Sequence, residues 1–190
     1  ALGGMLVEQL DYDGAATALR ESLRLEGEQD ELPPSALARV DYGLVSLGRA
    51  QYDEAERLFE ESLAISKRDG DFIRIAVAEF CLGLVALAQG RSAAARARLE
   101  SSLRLSREQQ FRWAIPLILE GFAALAAQAQ QPARAIRLAT AAAALREVTA
   151  AQFAPLWQQL LEPPIEAARR QIDAESLAAA IAAGEAMTAE

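Results

Sequence analysis

The 190-residue chain contains no histidine. This removes the residue that Ser-His-Asp triads, most zinc sites and the usual neutral-pH proton shuttles depend on. Cysteine occurs once, as Cys81, so there is no internal disulfide framework. Cys81 stands between Phe80 and Leu82 in an apolar stretch. A nucleophilic thiol would need a base beside it, and this one reads as a small core residue. Aromatic residues make up only 6% of a chain that is 52% hydrophobic, so its core is built of alanine and leucine, as in closely approaching helices. The 19 cations are outnumbered by 27 carboxylates, for a net charge of -8. That balance argues against direct nucleic-acid contact, which needs a basic footprint. No apolar run approaches the roughly 18–20 residues of a membrane span. There is no signal-peptide pattern and no GxxxxGK[ST] phosphate loop. A cytoplasmic protein without membrane contact fits these absences.

What is present is a repeat. The stretch Leu82 to Leu103 reads LGLVALAQGRSAAARARLESSL, two apolar-periodic segments broken at Gln89-Gly90-Arg91-Ser92. Gly3, Gly43 and Gly83 stand 40 apart, and Ala123 takes the next place. The same step links Ala15, Ala55, Ala95 and Ala135, then Leu19, Phe59, Leu99 and Ala139, then Ser22, Ser62, Ser102 and Ala142. A fixed period of this length marks a solenoid, whose units cover one another's apolar faces.

The units divide as a truncated first repeat (1–33), a second (34–70), a third (71–109) and a fourth (110–149), followed by a helical C-terminal cap (150–190). Pro33-Pro34 closes an acidic loop, since proline suits loops and first turns but breaks helix interiors. Asp69-Gly70-Asp71 should end one helix and cap the next. Pro116 either sits in a first turn or kinks its helix, and Pro132 opens another. Pro163-Pro164 is expected to break or bend the helix that starts at Pro155. Asp173 should cap a last helix, which Gly184 ends. The chain starts inside a repeat helix, without Met, and reads as a piece of a longer polypeptide. Leu2, Met5, Leu6, Leu19 and Leu23 then form a poorly covered, self-associating edge. The carboxylates Glu26, Glu28, Asp30, Glu31, Glu54, Glu56, Glu60 and Glu61 lie on a loop or on outward faces. Although paired carboxylates can hydrolyse glycosides, a solvated face is the reading here. No catalytic, cofactor-binding or metal-ligating set is expected, and the chain is not read as an enzyme.

The pattern resembles the tetratricopeptide repeat. Gly3, Gly43 and Gly83 match its helix-A glycine, Leu2 and Leu82 the preceding leucine, and Tyr12 and Tyr52 the aromatic at the turn. The alanine, large and second small sets match its helix-B packing positions. The consensus tryptophan is replaced by Arg39, Glu79 and Leu119, no proline closes the units, and the period is 40 where the family has roughly 34. The resemblance implies an all-α superhelix of antiparallel helix pairs, tetratricopeptide-like, with a helical cap. Its implied partner is a protein or peptide. Stretches such as LGLVALAQGRSAAARARLESSL, QQPARAIRLATAAAALREV and AAGEAMTAE also resemble the C-terminal repeat region of bacterial LuxR-type transcription regulators and signal-transducing ATPases. That implies a regulatory or sensor arm, whose partner can be another domain of the same regulator. A free-standing scaffold unrelated to transcription is the alternative.

In such arrays the helix-A faces line a concave groove. Here those faces offer Leu44, Leu47, Val77, Phe80, Leu84, Trp113 and Leu117, with Arg74 and Glu120 to orient a ligand. An open apolar groove takes an amphipathic helix or a small apolar ligand. The other reading is ordinary inter-helix core, or a groove covered by the cap. If the groove is open, Leu84→Glu should abolish binding and leave the helical content unchanged.

Overall fold

The computed structural model describes residues 12–28, 35–149 and 155–187. The described residues form nine helices and no strand. They are α1 (Tyr12–Glu28), α2 (Ala36–Gly48), α3 (Tyr52–Asp69), α4 (Phe72–Ala88), α5 (Ser92–Glu108), α6 (Ile115–Gln128), α7 (Pro132–Thr149), α8 (Pro155–Arg170) and α9 (Ala174–Ala186). The fold is all-α and tetratricopeptide-like. The chain divides into two compact units, 1–102 and 103–190, with the boundary inside α5.

Five turns share one backbone device. Ala50, Gly70, Gly90, Gln110 and Gln130 all have positive φ, between 56° and 72°. They stand 20 apart and end α2, α3, α4, α5 and α6. After α2, the Ala50 N–H donates to the Leu47 carbonyl and the Gln51 N–H to that of Ser46. The same two bonds recur after the other four helices: Gly70 and Asp71 to Lys67 and Ser66, Gly90 and Arg91 to Leu87 and Ala86, Gln110 and Phe111 to Arg107 and Ser106, Gln130 and Gln131 to Ala127 and Ala126. This is the Schellman motif, which satisfies the last carbonyls of a helix through one left-handed residue. Only two of the five are glycine, so the repeat holds the left-handed state even against a Cβ.

Asp71 and Asp173 cap α4 and α9 as the sequence implies, accepting the Arg74 N–H at 3.0 Å and the Ser176 N–H at 2.8 Å. These bonds favour the charged form and hold both carboxyls below the usual range. A lowered folded-state pKa means the caps stabilise fully above the ordinary aspartate value of about 3.9. That contribution is lost as pH falls through the lowered values.

In unit 1 the repeat register becomes packing. A Cβ added at Gly43 would lie 2.4 Å from the Phe59 ring, and one at Gly83 would lie 3.1 Å from Leu99. Both are the same contact, 40 residues apart. Ala15, Ala55 and Ala95 are fully buried, as are Phe59 and Leu99. The buried Ser62 hydroxyl donates to the Ala36 carbonyl at 2.9 Å, and that of Ser102 donates to the Ala76 carbonyl at 2.8 Å. Ser22, at the same register position on α1, is exposed. Gly43→Ala should lower the denaturation midpoint more than Gly83→Ala. A planar, fully buried ring cannot yield as a leucine terminus can, and overpacking costs about 1–3 kcal/mol. Equal midpoint losses in urea melts would contradict this.

Unit 2 packs α6, α7, α8 and α9 around Ala123, Ile136, Ile165 and Ala180. A second layer joins Ala126, Ala127, Ala135 and Ala168. Pro116 lies in the first turn of α6, where its missing N–H would be unbonded anyway. Two expectations are corrected here. Pro163-Pro164 does not break the helix, because α8 runs through it from Pro155 to Arg170. Leu156 and Leu161 before the prolines and Ile165 and Ala168 after them are all buried, so packing on both sides keeps the helix continuous. Gly184 does not end the last helix, which continues to Ala186. It is instead a close-approach residue, whose added Cβ would lie 2.5 Å from the Arg137 carbonyl oxygen and 2.7 Å from Thr140. The obstacle is largely backbone, so Gly184→Ala should push α9 off α7. Faster amide exchange across 174–186 would report it, and unchanged protection there would refute the contact.

The proposed self-associating edge falls mostly on Leu2, Met5 and Leu6, outside the described residues. Leu19, expected to lack cover, is buried. Leu23 is half-buried.

Candidate functional site

The residues proposed to line an open groove fall into different environments. Leu47, Phe80 and Leu84 are core, with Leu84 only 2% exposed. Leu44, Val77 and Leu117 are half-buried. An open stripe along α4 is therefore corrected: nearly every residue from Ala78 to Leu87 is buried, because the helix is apolar on all sides. Trp113 is 45% exposed, but it belongs to the turn before α6 and not to the helix. The two orienting charges are already engaged. Arg74 pairs with Asp71 of its own cap, and Glu120 pairs with Arg146 of α7. Desolvation raises the Glu120 pKa, and nearby Glu162 adds to the rise while Arg146 opposes it.

Large apolar side chains are exposed elsewhere. Leu37, Phe72 and Ile73 of unit 1 are each about half exposed, at 50%, 47% and 48%. Ile73 and Trp113 occupy the same register position, 40 residues apart. In each unit the accessible large apolar side chains lie at the start of the helix-A segment, Leu37, Phe72 and Ile73 in unit 1 and Trp113 in unit 2, and the large apolar side chains further along are buried or half-buried.

The outward carboxylates of α3 have structural work. Glu54 and Glu61 hold Arg57, Glu61 also holds Arg39 at 3.1 Å, and Glu56 holds Arg91 at 2.8 Å. Glu60 and Glu79 share Arg98, which reaches Glu79 at 3.0 Å. Lys67 stands 4.0 Å from Glu79, whose side chain is only 8% exposed. One arginine of α5 thereby ties α3 and α4 together. Glu26, Glu28, Asp30 and Glu31 have no described side chains. Cys81 is fully buried, and burial pushes its thiol far above its ordinary pKa, so a thiolate does not form at neutral pH.

Sequence reasoning missed a cleft in unit 2. α6, α7 and α8 enclose about 300 Å3 lined by Glu120, Arg146, Glu162 and Arg169, with Thr140 and Gln158 on the polar side. Ala139, Ala143 and Ile165 supply the apolar wall. A second cavity of similar size lies in unit 1, lined by Ser35, Leu37, Ser66, Asp69, Asp71 and Arg74. Among the described residues, no group of three or more potential ligands is placed to hold a metal ion. No described helix is long and apolar enough to cross a membrane.

A repeated helix pair with register-matched glycine, alanine and serine contacts defines a helical-repeat scaffold. Residues 35–108, which form α2 to α5, match the tetratricopeptide repeat family. No curated protein and no solved structure matches the chain. Tetratricopeptide repeats generally mediate protein–protein interaction, and the fold is typically a non-enzymatic scaffold.

Proposed function

We propose that this chain is a protein-binding regulatory arm of a larger bacterial transcription regulator or signalling ATPase, working in the cytoplasm. In this reading 1–149 is the repeat array and 150–190 its cap. The observation that carries the binding role is the exposure of large apolar side chains where the helix-A segments begin: Leu37, Phe72 and Ile73 in unit 1, and Trp113 in unit 2. Apolar area left exposed on a well-packed scaffold favours contact with a partner. The link to a regulator is supported by the stretches around Leu82–Leu103, Gln130–Val148 and Ala182–Glu190 that resemble such arms.

Photo-crosslinking tests the surface. A benzophenone side chain at 113 or 73 should give one discrete adduct in cells, and the same probe at the exposed helix-B position 104 should give none. Equal labelling at all three positions would refute a helix-A docking surface. The reading frame around this chain tests the context. A phosphate loop or a DNA-binding domain in the same polypeptide supports the regulator, and the absence of both supports a free-standing scaffold.

A further inference from the structure

At one pair of positions the fourth repeat carries charge where the two before it do not. In the forty-residue register Val40, Phe80 and Glu120 are equivalent on helix A, and Ser66, Ser106 and Arg146 on helix B. Val40 and Phe80 are buried, and so are Ser66 and Ser106. Packing at these places is therefore met by an apolar side chain and a serine. The fourth repeat puts a glutamate and an arginine there instead, paired with each other. The Glu120 side chain is only 12% exposed. Such a pair must overcome desolvation and is weak ground for stability. It also fronts the cleft of α6, α7 and α8.

The cleft is lined by two carboxylates, Glu120 and Glu162, and two guanidinium groups, Arg146 and Arg169, but these four are not paired with one another throughout. Arg146 is engaged by Glu120. Arg169 lies 3.2 Å from Glu166, which is outside the lining. Among the described residues no cation is paired with Glu162. One carboxylate is left over, close enough to Glu120 to oppose its ionisation. An anion entering the cleft would meet this charge unfavourably. A cation would relieve it, and the apolar wall of Ala139, Ala143 and Ile165 would cover a short hydrocarbon stem. A bare metal ion would leave that wall unused.

We propose that this cleft binds a singly charged organic cation, an alkylammonium or guanidinium group on a short apolar stem. The cationic head sits between Glu162 and Glu120, and the stem lies on Ala143 and Ile165. The head can belong to a free amine or to a lysine or arginine side chain of a protein. The inference is independent of the regulator reading and of the helix-A surface.

Methyl-labelled isoleucine spectra of the full chain, titrated with n-butylamine hydrochloride, n-butylguanidine hydrochloride and sodium valerate, test it. Both cations should shift the Ile165 methyl saturably, and valerate should not. Glu162→Gln, at an exposed position, should weaken cation binding about tenfold or more. The unshifted methyl of buried Ile118 reports that the fold is intact. Ala143→Leu should also block binding by filling the apolar side. The blocked peptides acetyl-Gly-Lys-Gly-amide and acetyl-Gly-Arg-Gly-amide separate the sources. Binding at least as tight as the free cations assigns the site to a protein side chain, and binding of the free cations alone assigns it to a small amine. Equal binding of valerate, an unchanged affinity in Glu162→Gln, or no saturable shift with any probe overturns the proposal.

Discussion

Leu84→Glu is expected to unfold the protein or bring it to the edge of unfolding. Leu84 is 2% exposed in the middle of α4, between Gly83 and Val85, both buried. The change removes a buried leucine, worth about 1.5–3 kcal/mol. It adds a carboxylate with no designed partner, and an uncompensated buried charge costs about 3–5 kcal/mol. Together these rival the roughly 5–15 kcal/mol by which a typical protein is stable. Leu84→Met should cost less than about 1.5 kcal/mol because it conserves volume. Urea melts followed by circular dichroism separate the two variants. A Leu84→Glu protein with the wild-type midpoint would restore the open groove that the burial of Leu84 excludes.

Phe59→Ala should be the most damaging truncation of an aromatic in unit 1, at about 3–5 kcal/mol. The ring is fully buried and fills the space under Gly43. The two positions are therefore coupled. Gly43→Ala is destabilising beside the ring, yet in the Phe59→Ala background its methyl enters vacated space and should be neutral or favourable. Contacting residues commonly show interaction energies of about 0.5–3 kcal/mol in such cycles. Additive losses would mean that the ring moves away from Gly43 in solution.

The repeat and its packing positions were legible because packing forces a residue's size at a fixed step. A glycine under Phe59 and another beside Leu99 are the same constraint written twice. The caps at Asp71 and Asp173 were legible because they are local chemistry. The continuity of α8 through Pro163-Pro164 was not, since it depends on the burial of Leu161 and Ile165 on either side. Gly184 has the local signature of a helix stop, while its actual role depends on α7, far away in sequence. At the groove, periodicity placed Leu84 on a helix-A stripe but could not say whether that stripe faced solvent or core. The cleft was within reach of the sequence. Comparing every column of the repeat, including those not set by glycine or alanine, puts Glu120 against Phe80 and Arg146 against Ser106. Glu162 and Arg169 join them only through the fold, because α8 lies beyond the last repeat.

The left-handed turns bear on how such a chain can change its length. Ala50 and Gly90 have nearly the same backbone conformation, with φ of 57° and 72°, and each is bonded in the same way to the helix before it. Excising 51–90 would join Ala50 to Arg91 and leave a turn of the same geometry. Gly43 of α2 would then meet Leu99 of α5, a partner that Gly83 already accommodates. The ends created by the deletion are interchangeable, so whole helix pairs can be lost or duplicated in frame without inventing a new junction. A change that is not a multiple of 20 residues would put the next left-handed residue out of step, and an odd multiple of 20 would keep the turns but exchange the two kinds of helix.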